Sequence, residues 1–204
     1  MPRILFLVKM GFRIQDVSIS KTTKYMGTHL KSTTKGEESD EKYMKLALRE
    51  AERGGRKGEV PVGAILVKRD QILAQDHNRC IELNDPTAHA EILVLRKAGE
   101  VLKNYRLNNT TLYVTVEPCP MCASAMIHGR IYRLVFGAPE PKFGAAGSKV
   151  QLLKDDTFNH SLKVDRGVLE KECVDTLRGF FREKREKHRL RSKAEEQGKK
   201  QNKR

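Results

Sequence analysis

Two pairs of side chains in this sequence have the types and spacing of reactive groups. His89 and Glu91 stand two residues apart in DPTAHAEILVLRKAGE (85–100), and Cys119 and Cys122 three apart in VEPCPMCASAMIHGR (116–130). Residues i and i+2 point to different sides of a helix, so His89 and Glu91 share no flank, but both can serve something off its end. The cysteine pair lies where a β-branched run gives way to a helix, and a helix N-terminus favours the thiolate. One imidazole and two thiolates make three protein ligands for zinc with the fourth tetrahedral position open, the arrangement of a catalytic site. Zinc held so lowers the pKa of bound water toward about 7 and makes a hydroxide nucleophile. Glu91 then reads as a proton carrier, not a ligand. Hydroxide attack on an aminated ring carbon needs a proton at the ring nitrogen and another on the departing amine, and one carboxylate can deliver both, with release of ammonia. The alternative is a structural zinc completed by Cys80 or Cys173, which leaves Glu91 without a task.

These residues need elements to hold them. Met44, Ala47, Leu48 and Ala51 fall at i, i+3, i+4 and i+7 and predict a helix from Ser39 or Asp40, either of which can cap it, to Gly54 and Gly55. Val60–Val67 and Ile72–His77 read as a hairpin across the turn Lys68, Arg69, Asp70. The helix carrying Glu91 spans about Ala88 to Gly99, with Asp85 and Thr87 as caps. Thr111–Val116 suits a strand buried on both faces, a short helix begins at Pro120, and Ile131–Ala138 is another strand. After a Gly- and Pro-rich loop over 139–148 come a short apolar piece at Leu162–Val164 and a helical stripe over Val168–Phe181, including Cys173 as a core residue. Helix, hairpin, then alternating helices and strands predict an α/β fold, a three-layer α/β/α architecture with a central mixed sheet.

The 204 residues suit one domain with tails, over 40–182, between a basic extension at 1–39 and a charged helix extension and tail at 183–204. A formal charge of +14 points to an anionic partner, nucleic acid before membrane. Four cysteines, two of them in C-x-x-C, do not form a disulfide framework in a chain this long, and a reduced, cytoplasmic setting fits. No run of 18 apolar residues spans a membrane. Residues 1–39 read as a disordered extension or an upstream start, with Met26 or Met44 as the working methionine; their basic, hydroxyl-rich composition would also suit organellar targeting.

H-A-E and P-C-x-x-C resemble the signature of the zinc-dependent nucleobase deaminases. The likeness runs further. GEVPVGAILV (58–67), HNRCIELNDPTAHAEI (77–92), NYRL (104–107), TLYVTVEPCPMCASAMIHGRI (111–131), FGA (136–138) and GAAGS (144–148) resemble the bacterial tRNA-specific adenosine deaminases, over Glu41 to Arg185. The resemblance implies a cytidine-deaminase-like fold and deamination of adenosine to inosine at the wobble position of a tRNA anticodon, in bacteria chiefly the arginine tRNA with anticodon ACG. It implies a homodimer, with both chains holding the anticodon loop. By position, His89, Cys119 and Cys122 would bind one Zn2+ per chain and Glu91 would shuttle protons. Asn78 would hydrogen-bond the flipped nucleotide, Val60 would pack on its base, and Phe181 and Arg182 would contact the anticodon loop. The chain departs from the family pattern at Pro139, Glu140 and Phe143, where Arg, Asp and Thr are familiar, and at Cys80, where proline is. Most of the first forty residues have no counterpart in the short bacterial enzymes.

Two other functions use the same residues. A deaminase of free cytosine, cytidine or guanine shares the zinc chemistry but has no need of the strong basicity. An RNA-binding subunit of a deaminase heterodimer would typically lose the proton shuttle, which this chain keeps at Glu91.

Overall fold

A computed structural model of the chain describes residues 35–154 and 158–201, with side chains over 38–154 and 158–195. The expectations for residues 1–34 therefore lie outside the described residues. In chain order the elements are α1 (Lys35–Arg56), β1 (Gly63–Lys68), β2 (Gln71–His77), α2 (Cys80–Leu83), α3 (Ala90–Leu102), β3 (Thr111–Val116), α4 (Pro120–His128), β4 (Arg133–Ala138), β5 (Lys163–Arg166) and α5 (Glu170–Gln201). No helix among the described residues is long and apolar enough to cross a membrane.

The strands form one five-stranded sheet in the order β2-β1-β3-β4-β5. β1 is antiparallel to both β2 and β3, while β3, β4 and β5 are parallel. It follows that β2, β3, β4 and β5 all run one way and β1 alone runs back. The chain therefore leaves β2, β3 and β4, and enters β1, at the same edge of the sheet. That edge collects Val60–Val62, Asn78, Glu117–Cys119 and the loop after Ala138, which is where open α/β sheets place their ligands.

Alternation along the strands builds two cores. Ala64, Leu66, Leu112, Val114, Leu134 and Phe136 pack on one face against Ile92 and Val94 of α3 and Ala123 and Met126 of α4. Ile65, Val67, Tyr113 and Val135 face the other way, onto Met44, Ala47 and Leu48 of α1 and Cys173 of α5. This is the mixed, helix-covered sheet expected from the sequence. Most of these side chains are fully buried, each contributing roughly 1.5 to 3 kcal/mol of transfer free energy. Gly63 lets α1 approach β1, since a Cβ there would collide with the carbonyl of Ala47. The β1–β2 turn needs left-handed backbone at both central residues, and Arg69 (φ 48°) and Asp70 (φ 62°) supply it.

Boundaries depart from the sequence pattern where tertiary contacts decide them. Asp40 is not a cap: it lies inside α1, buried, accepts the Tyr113 hydroxyl at 2.8 Å and pairs with both terminal nitrogens of Arg133 at 2.8 and 2.7 Å. α1 also runs past Gly54 and Gly55 to Arg56. α3 begins at Ala90, not Ala88, because Asp85 is spent within its own loop, accepting from the backbone N–H and hydroxyl of Thr87, both at 2.7 Å. β1 and β4 each start later than their apolar runs, at Gly63 and Arg133. α2, a single turn, had no signal in the periodicity.

Candidate active site

Because α3 follows β2 and α4 follows β3, the N-termini of both helices meet at the shared sheet edge. His89 is the N-cap residue of α3 and Cys119 that of α4, both with extended backbone, and neither side chain makes a capping hydrogen bond. They turn toward each other. His89 Nδ1 lies 3.7 Å from Cys119 Sγ and 3.5 Å from Cys122 Sγ. Nitrogen and sulfur at the bond lengths zinc prefers, about 2.0 and 2.3 Å, sit about 3.5 Å apart when both lie on tetrahedral directions, so the spacing fits that ion. The donor set fits it as well: all three ligand atoms lie within 4.8 Å of one another and none is a hard carboxylate. Neither Cys80 nor Cys173 joins the group; Cys173 is buried in the opposite core. Pro120 at the first position of α4 suits the helix start, its fixed φ being helical and its missing N–H one that the helix leaves unpaired.

What Cys119 and His89 do not cap, others do. Asn78 Oδ1 accepts from the N–H of Ala90 at 2.8 Å, so Asn78 stands in for the missing N-cap of α3. Its Nδ2 makes no hydrogen bond among the described residues and remains a free donor at the site. Glu91, in the first turn of α3, is buried at 3% exposure beside the three ligand groups. Burial pushes its carboxyl above the ordinary range, and the Cys122 thiol reaches it. The ligand groups also trade protons among themselves. The Cys119 thiol is brought down to about 4 by the hydrogen bond from Cys122 and by His89, against the effect of burial. His89 is raised chiefly by its hydrogen bond to Cys119, and Cys122 is raised by sharing its proton with Cys119 and by burial.

Two buried carboxylates, unmarked in the sequence, hold the loops on either side. Glu117 accepts from the backbone N–H groups of Glu140 at 3.0 Å, Ala146 at 2.9 Å and Ser148 at 3.0 Å, and so fixes the 139–148 loop next to Cys119. Gly144 is required there, since a Cβ would meet the Glu117 carboxylate at 2.5 Å. Glu59 accepts from Ile81 at 2.9 Å and Glu82 at 2.8 Å, giving α2 its cap. These contacts join residues more than twenty positions apart, so no local pattern announces them.

The remaining candidates sit at the rim. Val60 is 38% exposed, two residues before Val62, whose carbonyl accepts from Asn78. Phe181 is 44% exposed and stacks edge-on against Phe180, with ring centroids 5.5 Å apart. Phe180 and Pro61 both border Gly55, where a Cβ would stand 4.0 and 3.4 Å from them, so this part of α5 lies beside the Val60–Val62 edge. Arg182 is exposed and pairs with no described residue; no described contact joins Phe181 or Arg182 to the His89, Cys119 and Cys122 group.

A second group of ligand-type residues, Glu50, Asp76 and His77, is also buried and also within 4.8 Å. Its members are already paired: His77 Nδ1 with Glu50 at 3.1 Å, Asp76 with Lys97 at 2.7 Å, and Glu50 with Gln75 at 3.2 Å.

The family model of the MafB19-like deaminases matches residues 38–185. The chain is 49% identical to the tRNA-specific adenosine deaminase of Haemophilus influenzae over 154 residues, covering 75% of this chain and 89% of that one. It is also 49% identical to the Bacillus subtilis enzyme of the same name, covering 72% and 92%. Among solved structures, one from work on A-to-I editing by tRNA:A34 deaminases at the wobble position of transfer RNA superposes with a TM-score of 0.65 at 47% identity, over 67% of this chain and 99% of that one. A guanine deaminase from Nitrosomonas europaea, 24% identical with a TM-score of 0.61 over 69% and 83% of the two chains, shares the fold alone. Matched over nearly the whole length of these relatives, and carrying the H-A-E and P-C-x-x-C residues together at one sheet edge, this chain belongs to the family of tRNA-specific adenosine deaminases.

Proposed function

We propose that this protein hydrolyses the amino group of the wobble adenosine in a tRNA anticodon to give inosine and ammonia, with the arginine tRNA of anticodon ACG as its first substrate. The observation that carries the reading is the meeting of His89 Nδ1 with two thiols at 3.5 and 3.7 Å, beside the buried carboxylate of Glu91. His89, Cys119 and Cys122 would hold zinc. When bound, it supplies a Lewis acid that activates water at neutral pH.

Glu91 takes one proton from the attacking water and delivers it to the ring nitrogen of adenine, then takes the proton left on the added oxygen and passes it to the amino group, which departs as ammonia. Its raised pKa, the effect of burial, brings the carboxyl nearer neutrality, where it can both accept and give. Asn78 uses Oδ1 to hold α3, which leaves Nδ2 to donate to the flipped nucleotide. Val60 offers exposed apolar surface at the rim for the base, and Phe181 with Arg182 an aromatic and a cation for the splayed loop. A free-base substrate would leave the +14 charge and the exposed basic helix without use.

The homodimer and a cytoplasmic setting belong to the same reading. An apolar groove of about 1030 Å³ lies between α3 and α4, lined by Ile92, Leu95, Leu107 and Ala125, with Tyr105 72% exposed at its edge, and suits burial against a second copy.

Single-turnover inosine formation on an arginine tRNA transcript tests the proposal. Zinc-loaded wild type converts the wobble adenosine, and Glu91→Ala loses on the order of 10³-fold or more in rate while retaining one zinc per chain. Zinc-loaded wild type that leaves the transcript unchanged yet releases ammonia from free guanine or cytidine overturns the substrate.

A further inference from the structure

α5 changes character at Phe181. Before it, Cys173 is buried and Val174 and Leu177 pack on the core. After it, every residue from Phe181 to Arg191 is exposed, and nothing described packs on the helix. Within this solvated stretch the cations are ordered. Arg178, Arg182, Arg185, Arg189 and Lys193 follow at steps of four, three, four and four, which places all five exposed side chains on one helical face about 80° wide. The face is about 22 Å long at 1.5 Å per residue.

Glu183 and Glu195 fall on other sides of the helix, and Glu196, three residues after Lys193 and on the same face by position, bounds the stripe at its C-terminal end. Glu186, at the edge of the stripe, is taken up by Arg189 at 2.7 Å. Arg178, Arg182, Arg185 and Lys193 have no anionic partner among the described residues. Three of the i,i+4 pairs, Arg178–Arg182, Arg185–Arg189 and Arg189–Lys193, are like-charged and oppose helix formation in the free protein. A face that repels itself is stabilised by a polyanion laid along it.

Resting on the reading of the substrate as a looped RNA, we propose that this stripe is a rail for the phosphate backbone of the base-paired stem that carries the substrate loop. The rail starts where α5 passes the Val60–Val62 edge of the site, so a loop entering there brings its stem to the rail. A double helix carries about one charge per 1.7 Å of axis with both strands counted, so a length of about 22 Å alongside the rail carries on the order of ten phosphates, and those on its near side face the cations. Past Phe181 the helix contains no Phe, Tyr or Trp, so bases find nothing to stack on and the contact is to backbone only, independent of sequence. Leu190 and Ala194 are the only apolar side chains beyond Phe181, too few for a helix lying in a membrane surface. The family model ends at residue 185, so Arg189 and Lys193 extend the rail beyond it.

The test compares two triple variants of the full, zinc-loaded chain with equal charge loss: Arg185→Gln/Arg189→Gln/Lys193→Gln on the rail, and Lys184→Gln/Lys187→Gln/Arg191→Gln on the opposite side. On intact tRNA the rail variant raises KM about tenfold or more with kcat kept, and flattens the dependence of log(kcat/KM) on log salt by about two to three units. The opposite-side variant changes KM less than about threefold and keeps the slope of wild type. On an anticodon loop closed by only a few base pairs the two variants behave alike. Equal effects of both triples on intact tRNA, or an unchanged salt slope in the rail variant, overturn the rail while leaving the deaminase reading intact. If wild type makes no inosine, that reading falls. The rail is then judged by binding: an RNA hairpin preferred over a single strand of equal length, with the preference lost in the rail variant, upholds it, and equal binding overturns it.

Discussion

Two trios of ligand-type residues lie among the described residues, each within 4.8 Å and each close to the end of β2, and they are built for opposite ends. His89, Cys119 and Cys122 are held at two helix N-termini, and neither N-cap side chain is spent on capping, Asn78 accepting from the first N–H of α3 in place of His89. Their donor atoms face one another and the buried carboxylate of Glu91, with no ion pair among the described residues to occupy them. Glu50, Asp76 and His77 face partners already in place, with Lys97 and Arg53 supplying positive charge at 2.7 and 3.7 Å and Gln75 a further donor. A carboxylate can only accept, so the 3.1 Å contact with Glu50 makes Nδ1 of His77 the donor and leaves Nε2, buried without a hydrogen-bond partner, as its acceptor nitrogen. Proximity of ligand residues is therefore not what makes a metal site; donors left without other partners are.

Disrupting the first trio gives the largest effect. Cys119→Ser and His89→Ala reduce bound zinc, measured by elemental analysis, from one per chain to a small fraction, and deamination falls by at least about 10³-fold, while circular dichroism stays that of the folded protein. Zinc retained in both variants would break the comparison at its base. The second trio responds in the other currency. His77→Ala leaves the Glu50 carboxylate buried beside a distant Arg53, and the unfolding free energy in urea falls by roughly 3 kcal/mol with zinc content unchanged. A loss of zinc with no loss of stability would reverse the assignment. Asn78→Ala sharpens the boundary between the two, since Asn78 follows His77 in sequence and caps the helix that holds His89. Its stability cost is small, about 1 kcal/mol for the lost cap, and its activity loss exceeds what that instability explains. Activity that follows stability alone would confine Asn78 to capping.

The legibility of these features differs in the same way. The three-layer fold could be read because its signals are local: the short apolar, β-branched run of Thr111–Val116 and the helical stripe of Met44, Ala47, Leu48 and Ala51 each lie within one element. Asp40 and Asp85 misled as caps because a carboxylate near a helix start looks the same whether it meets a backbone N–H, as a cap does, or Arg133 and Tyr113 across the sheet. The positions of Glu117 and Glu59 carried no signal, for what they bind lies more than twenty residues away.

From the sequence alone came the donor types, their spacing and the carboxylate proposed as proton carrier, because a zinc site would need thiolate and imidazole and a hydrolytic deamination one carboxylate, wherever the chain puts them. That His89 and Cys119 converge was decided only by the tertiary structure. β1 runs against both its neighbours, β2 and β3, so these two end at one edge and deliver both helix N-termini to the same place. The loops that wall this place are likewise set by Glu59 and Glu117, since a buried carboxylate must collect backbone donors and only the folded sheet brings those donors within reach.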